Sequence, residues 1–323
     1  MAKRLLPLAV GPAMHNTGFI VSGTFIMAAI ALTLTFVLQK KDKAACDIAL
    51  QIIANQGTTK TLSEARAYDC DFFSDQNSSD LQSHYKDLFH AAELKADICV
   101  QQSASRRKKL LICDMDSTLI GQECIDELAD FIGAKDRVSA ITQQAMRGEI
   151  DFNGALEQRV KLLKGLDLSI LQKCFDTRIN LNEGARALCQ TMKHHGAKTV
   201  IVSGGFTFFT QRIAQACGFE HHHANVLLND GQQLTGEVGM PILGRAAKLD
   251  ALRRHSQDLG GPQTAIAIGD GANDLAMITA AGLGIAYDAK PAVAAAAHCE
   301  ITYADLRTAL YYQGFSDNGI INS

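Results

Sequence analysis

The sequence predicts an α/β protein in which a parallel sheet lies between helices, carries a helical cap, and is preceded by a small α+β domain. Three observations lead there. Four short apolar runs, Leu110–Asp114, Thr199–Ser203, Ala265–Gly269 and Gly284–Tyr287, have the length and continuity of strands buried on both faces. Helical patterns alternate with them, the order expected of a parallel sheet. Between the first two runs, Gly121 to His195 is helical and charged, and too long for one crossover helix. It reads as a cap inserted after the first strand, about 121–195.

Upstream, the chain poses a question of membrane against strand. No charged residue occurs between Arg4 and Lys40, and Gly18 to Leu38 is long and apolar enough to be considered a membrane span. Yet Ala31 to Leu38 alternates Leu with Thr, a period of two that suits a half-buried strand and serves no purpose in a membrane helix. Lys40 to Asn55 then reads as a helix with apolar Ala44, Ala45, Ile48, Ile52 and Ile53, and Ala96 to Val100 as a further strand. A small α+β domain over 27–105 is therefore expected, with residues 1–26 as an extension and Met27 a sensible first residue. The polar, basic stretch Gln101 to Lys109 reads as a linker, and residues 106–323 form the second domain.

Composition narrows the functional classes. With 47% hydrophobic and 20% charged residues, the 323-residue chain has enough apolar content for a proper core. A net charge of −3, with Lys and Arg scattered, excludes a basic nucleic-acid face. The nine cysteines are odd in number and contain no C-x-x-C pair, which points to free thiols in a reducing cytoplasm and away from zinc. His221, His222 and His223 in succession cannot easily converge on one ion, and read as an exposed loop. Val226 to Gly231 reads as a hairpin, with Asp230-Gly231 supplying the positive φ of its turn.

Polar residues appear abruptly at the ends of the predicted strands, where open α/β sheets bind ligands. The first ends in Asp114-Met115-Asp116-Ser117-Thr118, the second in Ser203-Gly204-Gly205, the third in Gly269-Asp270-Gly271-Ala272-Asn273-Asp274. Lys248 lies near the start of a helix predicted over Arg245 to Leu259. Singly, each has an ordinary reading as a turn, a helix cap or a surface lysine. Together they suit a phosphate monoester: carboxylates for a hard cation, a nucleophile and an acid, with a hydroxyl, amides and an ammonium for phosphoryl oxygens.

The order Asp-x-Asp-x-Thr, Ser-Gly-Gly, Lys, Gly-Asp-Gly-x-Asn-Asp resembles the haloacid dehalogenase-like phosphatases. Asp114 to Ala129 and Ser203 to Phe209 resemble the phosphoserine phosphatases among them, and the similarity runs from about Leu110 to Tyr312. The resemblance implies a Rossmann-like core and, over residues 44–100, a faint likeness to an ACT-like domain. It implies Asp114 as nucleophile, Asp116 as general acid then base, and Mg2+ held by Asp114, the Asp116 carbonyl and Asp270. Asp274 becomes a supporting acid, while Ser203, Gly204, Lys248 and Asn273 contact phosphate or substrate. Glu123 would read a substrate ammonium and Arg159 clamp its carboxylate, with Met146 and Phe152 as apolar neighbours. A carboxylate suits Arg159 because a guanidinium binds both oxygens.

The expectation is thus a cytoplasmic, Mg2+-dependent phosphatase acting on phosphoserine as a small-molecule partner, at the last step of serine biosynthesis. A homodimer is compatible with it, and a membrane partner is not expected despite residues 18–38. Two competing readings are a phosphotransferase using the same nucleophile and a regulatory module in which the small domain senses an amino acid.

Overall fold

The structure, a computed structural model, describes residues 29–321 together with residues 20–21 and 24–25. The extension expected over 1–26, and the first half of the apolar 18–38 stretch, lie largely outside the described residues. The second half of that stretch is β1 (Ile30–Leu38), a strand and not a helix. No helix among the described residues is long and apolar enough to cross a membrane.

The first domain continues with α1 (Lys43–Ile53), β2 (Thr58–Ser63), β3 (Ala67–Ser74), α2 (Ser78–Ala91) and β4 (Ala96–Gln102). Its strands form one antiparallel sheet in the order β2-β3-β1-β4, a ferredoxin-like βαββαβ unit. Both helices start on a side-chain cap. Asp42 accepts from the Ala45 amide at 3.0 Å and Asn77 from that of Asp80 at 2.8 Å, each worth about 1 kcal/mol. One face of β1, with Leu32, Leu34 and Phe36, packs under the helices, and Phe36 lies 5.5 Å from the rings of both Tyr68 and Phe89.

The opposite face of β1 departs from the half-buried expectation. Thr33 and Thr35 are fully buried, because this face is docked against the second domain. Arg106 makes a bidentate pair with Asp69 at 2.7 and 2.8 Å, and donates to Thr35 Oγ1 and to the Tyr312 carbonyl. The stretch 101–109, expected as a linker, is thus fastened at the interface: β4 runs to Gln102 and a 3-10 turn covers Ser103–Ser105. Asp97 completes the joint by accepting the successive amides of Thr302, Tyr303 and Ala304.

The second domain opens with β5 (Leu110–Cys113). Four helices follow: α3 (Cys124–Asp130), α4 (Lys135–Met146), α5 (Phe152–Lys161) and α6 (Leu168–Arg178). Next come α7 (Ala185–His194), β6 (Lys198–Phe206), α8 (Thr207–Cys217), β7 (His221–Asn225), and the hairpin β8 (Leu227–Asn229) and β9 (Leu234–Val238). The chain ends through α9 (Arg245–Ser256), β10 (Ala265–Gly269), α10 (Leu275–Ala280), β11 (Leu283–Tyr287), α11 (Pro291–Ala294), β12 (Cys299–Ile301) and α12 (Thr308–Tyr312). The sheet is parallel throughout, in the order β12-β11-β10-β5-β6-β7. Since β6 lies on one side of β5 and β10 on the other, the chain reverses direction across the sheet at β5. The crevice at the carboxyl ends of these three strands is where such a sheet takes a ligand.

Two sequence expectations need correction here. The excursion after β5 is shorter than 121–195: α3 to α6 form it, whereas α7 buries Leu188, Cys189 and Met192 against β6 and α8 as an ordinary crossover helix. The bridge Ile120↔Leu181 marks where the chain leaves and returns. Further, His221 to His223 is the edge strand β7 and not a loop. Alternation sends His222 to one face, where Nδ1 meets Thr210 Oγ1 at 3.0 Å, and His223 to the other, where it meets His255 at 2.8 Å. The β8–β9 hairpin forms as expected, with Gly231 at φ +97, and joins the excursion through the Asp167↔Gln233 bridge.

Candidate active site

Four segments bring the polar residues together. Asp114 follows β5 and is nearly buried; its Oδ1 accepts the Met115 amide at 2.7 Å and its Oδ2 lies 2.5 Å from Lys248 Nζ. Lys248 stands one turn inside α9 and is itself buried, with Asp274 Oδ1 at 2.6 Å on its other side. A surface role for this lysine is thereby excluded. Burial depresses the pKa of the Lys248 ammonium, but the two carboxylates outweigh it and raise the value above normal. Asp114 moves upward as well, through burial first and the Asp274 charge second, with Lys248 opposing both.

Asp116 turns back from the loop after β5. Its Oδ1 accepts the Cys124 amide at 3.0 Å, and its Oδ2 receives Ser203 Oγ at 3.3 Å. Burial raises its pKa and the contacts from Cys124 pull it back. Ser203 Oγ also accepts the Gly205 amide at 2.9 Å, which closes the Ser203-Gly204-Gly205 loop into a tight bend. A side chain at 205 would strike Asp116 Oδ2, so only glycine lets this loop approach the carboxylate.

Asp270 follows β10, and its Oδ1 receives the Thr118 hydroxyl at 3.0 Å. Burial, then the nearby Asp274 charge, raises its pKa to about 6. Among the described residues, Asp114, Asp270 and Asp274 form the one group with three ligand atoms within 4.8 Å of one another. Three carboxylates against one ammonium leave surplus negative charge on an all-oxygen donor set, which fits a hard divalent cation. Asn273, half-buried, sits between Asp270 and Asp274 on the same loop.

The excursion helices supply the remaining groups. Glu123 is the residue before α3, exposed to the crevice, with Ser117 Oγ donating to it at 2.7 Å. Burial first and the Asp116 charge second raise its pKa to about 7, with the Ser117 hydrogen bond opposing them. Arg159 on α5 is half-buried and bonds the Ala155 carbonyl and Thr142 Oγ1 at 3.3 and 3.4 Å. Burial lowers its pKa, while the charges of Asp126, Glu123 and Asp116 favour its charged form. Phe152 lies against Gly204 and Gly244. The side chain of Met146 lies outside the described residues. Ser117 and Thr118, given no individual role by the sequence, turn out to orient Glu123 and Asp270; a hydroxyl pair inside Asp-x-Asp-x-Thr was the available signal.

Known proteins similar to the chain span these same segments. The sequence pattern of the haloacid dehalogenase-like hydrolases matches residues 111–279, just over half of the chain and all of the crevice loops. This chain belongs to that family. Among curated relatives, a phosphoserine phosphatase of Archaeoglobus fulgidus is 42% identical over 224 residues, 68% of this chain and 65% of its own length. One from Streptomyces coelicolor is 43% identical over 229 residues, 70% of this chain and 56% of its own length. The chain therefore covers somewhat less than two thirds of these two haloacid dehalogenase-like relatives. A solved structure of a probable phosphoserine phosphatase from Vibrio cholerae superposes with a TM-score of 0.70 at 30% identity, covering 88% of this chain and 86% of that one. That coverage extends beyond the hydrolase core into the βαββαβ domain.

Proposed function

We propose that the chain hydrolyses O-phospho-L-serine to L-serine and inorganic phosphate through an aspartyl-phosphate on Asp114, with Mg2+, as the last step of serine biosynthesis in the cytoplasm. The observation that carries the chemistry is the Asp114–Lys248–Asp274 arrangement beside Asp116 and Ser203. It presents a carboxylate at a strand tip, fixed through both oxygens, with its charge partly balanced by a buried ammonium. The substrate is read from Glu123 and Arg159, complements to an ammonium and a carboxylate at the helices after β5, and from the names of the relatives.

In this reading Asp114, the Asp116 carbonyl and Asp270 would hold the magnesium ion. When bound, the ion offsets repulsion between a carboxylate nucleophile and a phosphate dianion. Asp114 attacks phosphorus and the bond to the serine oxygen breaks. Asp116, its pKa raised by burial, gives a proton to that oxygen. It then takes a proton from the water that cleaves the acyl phosphate, which frees phosphate and restores Asp114. Ser203 Oγ, the Gly204 amide, Lys248 and Asn273 hold phosphoryl oxygens as charge spreads over them. Glu123 and Arg159 fix the amino-acid end, and Phe152 helps to close the excursion over the crevice.

The test is phosphate release from phosphoserine, sugar phosphates and an aryl phosphate, with and without Mg2+, using Asp114→Asn as control. Phosphoserine should be strongly preferred and Asp114→Asn inert. Equal rates across the panel overturn the specificity, and activity persisting in Asp114→Asn overturns the mechanism.

A further inference from the structure

We infer that Asn225, which no motif of the sequence reading includes, is a positioning residue for phosphoryl transfer. Its amide clamps the Ser203–Gly205 loop to the segment that leads into the Lys248 helix. This inference rests on the phosphatase reading above and adds a residue to it.

Asn225 ends the edge strand β7 and is almost wholly buried. It pairs with Phe206 of β6, and the ladder between the two strands slips between Val202 and Phe206, where the Ser203-Gly204-Gly205 loop bulges out. A bulge of this kind re-aims side chains at the cost of ladder bonds. Asn225 replaces what is lost: its Nδ2 donates to the Gly204 carbonyl at 2.8 Å. The same nitrogen reaches the Leu243 carbonyl at 3.3 Å, while Oδ1 accepts the Leu243 amide at 2.7 Å. Leu243 directly precedes Gly244, where α9 begins, and Lys248 is on the first turns of that helix. One side chain thus ties together two of the four segments that build the crevice. Phe152 of α5 also lies against both segments, at Gly204 and Gly244.

Glutamine is too long for this slot, and aspartate keeps the volume while turning a donor into an anionic oxygen against two carbonyls. A buried Asn that only satisfied loop carbonyls would affect folding and leave the folded enzyme's chemistry alone. A displacement of about 1 Å in the phosphate loop costs on the order of 100-fold in rate.

The experiment compares wild type, Asn225→Asp and Asn225→Ser for kcat and KM on phosphoserine, inhibition by tungstate as a tetrahedral oxyanion probe, and melting temperature. Ile53→Ala, a core truncation in the small domain, serves as a matched loss of stability. The expected result is a kcat lowered 10- to 100-fold with KM changed less than threefold. Tungstate inhibition should weaken in parallel, and Ile53→Ala should retain wild-type kcat. Should Asn225→Asp fail to fold, Asn225→Ser carries the comparison alone. Wild-type kcat and tungstate inhibition in a folded Asn225 variant overturn the inference and leave the phosphatase reading standing. A wild-type chain inert on phosphoserine overturns that reading itself.

Discussion

Replacing Lys248 with methionine removes the one ammonium between two buried carboxylates and keeps most of the side-chain volume. In the wild type, Nζ lies 2.5 Å from Asp114 and 2.6 Å from Asp274. Taking away one partner of a buried ion pair leaves uncompensated charge and destabilises by about 3–5 kcal/mol. For a chain of this size that corresponds to a fall in Tm on the order of 10 °C at pH 7. The pH dependence has a definite sign. Folding raises the pKa of Asp114, so the stability that this group contributes is fully present below its unfolded value near 4, about 3.9, and is lost as pH rises through the folded value. Loss of Lys248 removes the cation that opposes this rise, and extends the window upward. The deficit of Lys248→Met against wild type should therefore be small near pH 4 and largest at pH 7. Mg2+ at 100 times its dissociation constant should raise the stability of whichever protein binds it by about 2.7 kcal/mol. The assay is a thermal melt of both proteins from pH 4.5 to 7.5, with and without MgCl2, alongside phosphate release. A variant that melts within 2 °C or so of wild type at pH 7, with no pH trend in the difference, refutes the buried-charge argument.

Three other substitutions separate recognition and domain docking from chemistry. Glu123→Gln and Arg159→Lys should each raise KM for phosphoserine about 10-fold or more, and leave hydrolysis of an aryl phosphate, which has no amino-acid end, within about twofold; parallel losses on both substrates would contradict the assigned roles. Asp97→Asn weakens the cradle of three successive amides from Thr302, Tyr303 and Ala304, a charge-assisted set worth about 1.5–3 kcal/mol. Limited proteolysis should then cut faster between residues 101 and 109, and an unchanged rate would show that the other bonds across the joint, Arg106–Asp69 and Arg66–Asp305 among them, secure it without Asp97.

Much of this was legible from residue order. The crevice strands were visible as apolar runs because strands buried on both faces need no polar alternation. The polar clusters behind them stood out for the same reason. The edges of the sheet were harder. β7 begins with three histidines and β12 is three residues long, so neither carries an apolar run to signal a strand. The end of the excursion was set too late because α7 has the same helical period as α3 to α6. Only its packing on β6 and α8 tells it apart.

By itself the sequence determined which groups are available for chemistry and roughly where: Asp114, Asp116, Ser203, Lys248 and Asp270 at strand ends or a helix start, and a Leu–Thr strand in a small domain. It determined these because strand and helix periods are local properties of the chain. Whether Lys248 is a surface charge or the buried centre of an ion triad was decided by tertiary structure, since Asp114, Lys248 and Asp274 are far apart in sequence and meet at one sheet edge. The same holds for Asn225 behind the phosphate loop. It holds also for the threonine face of β1, which its own pattern would leave to solvent, and which docking through Arg106 and Asp69 buries.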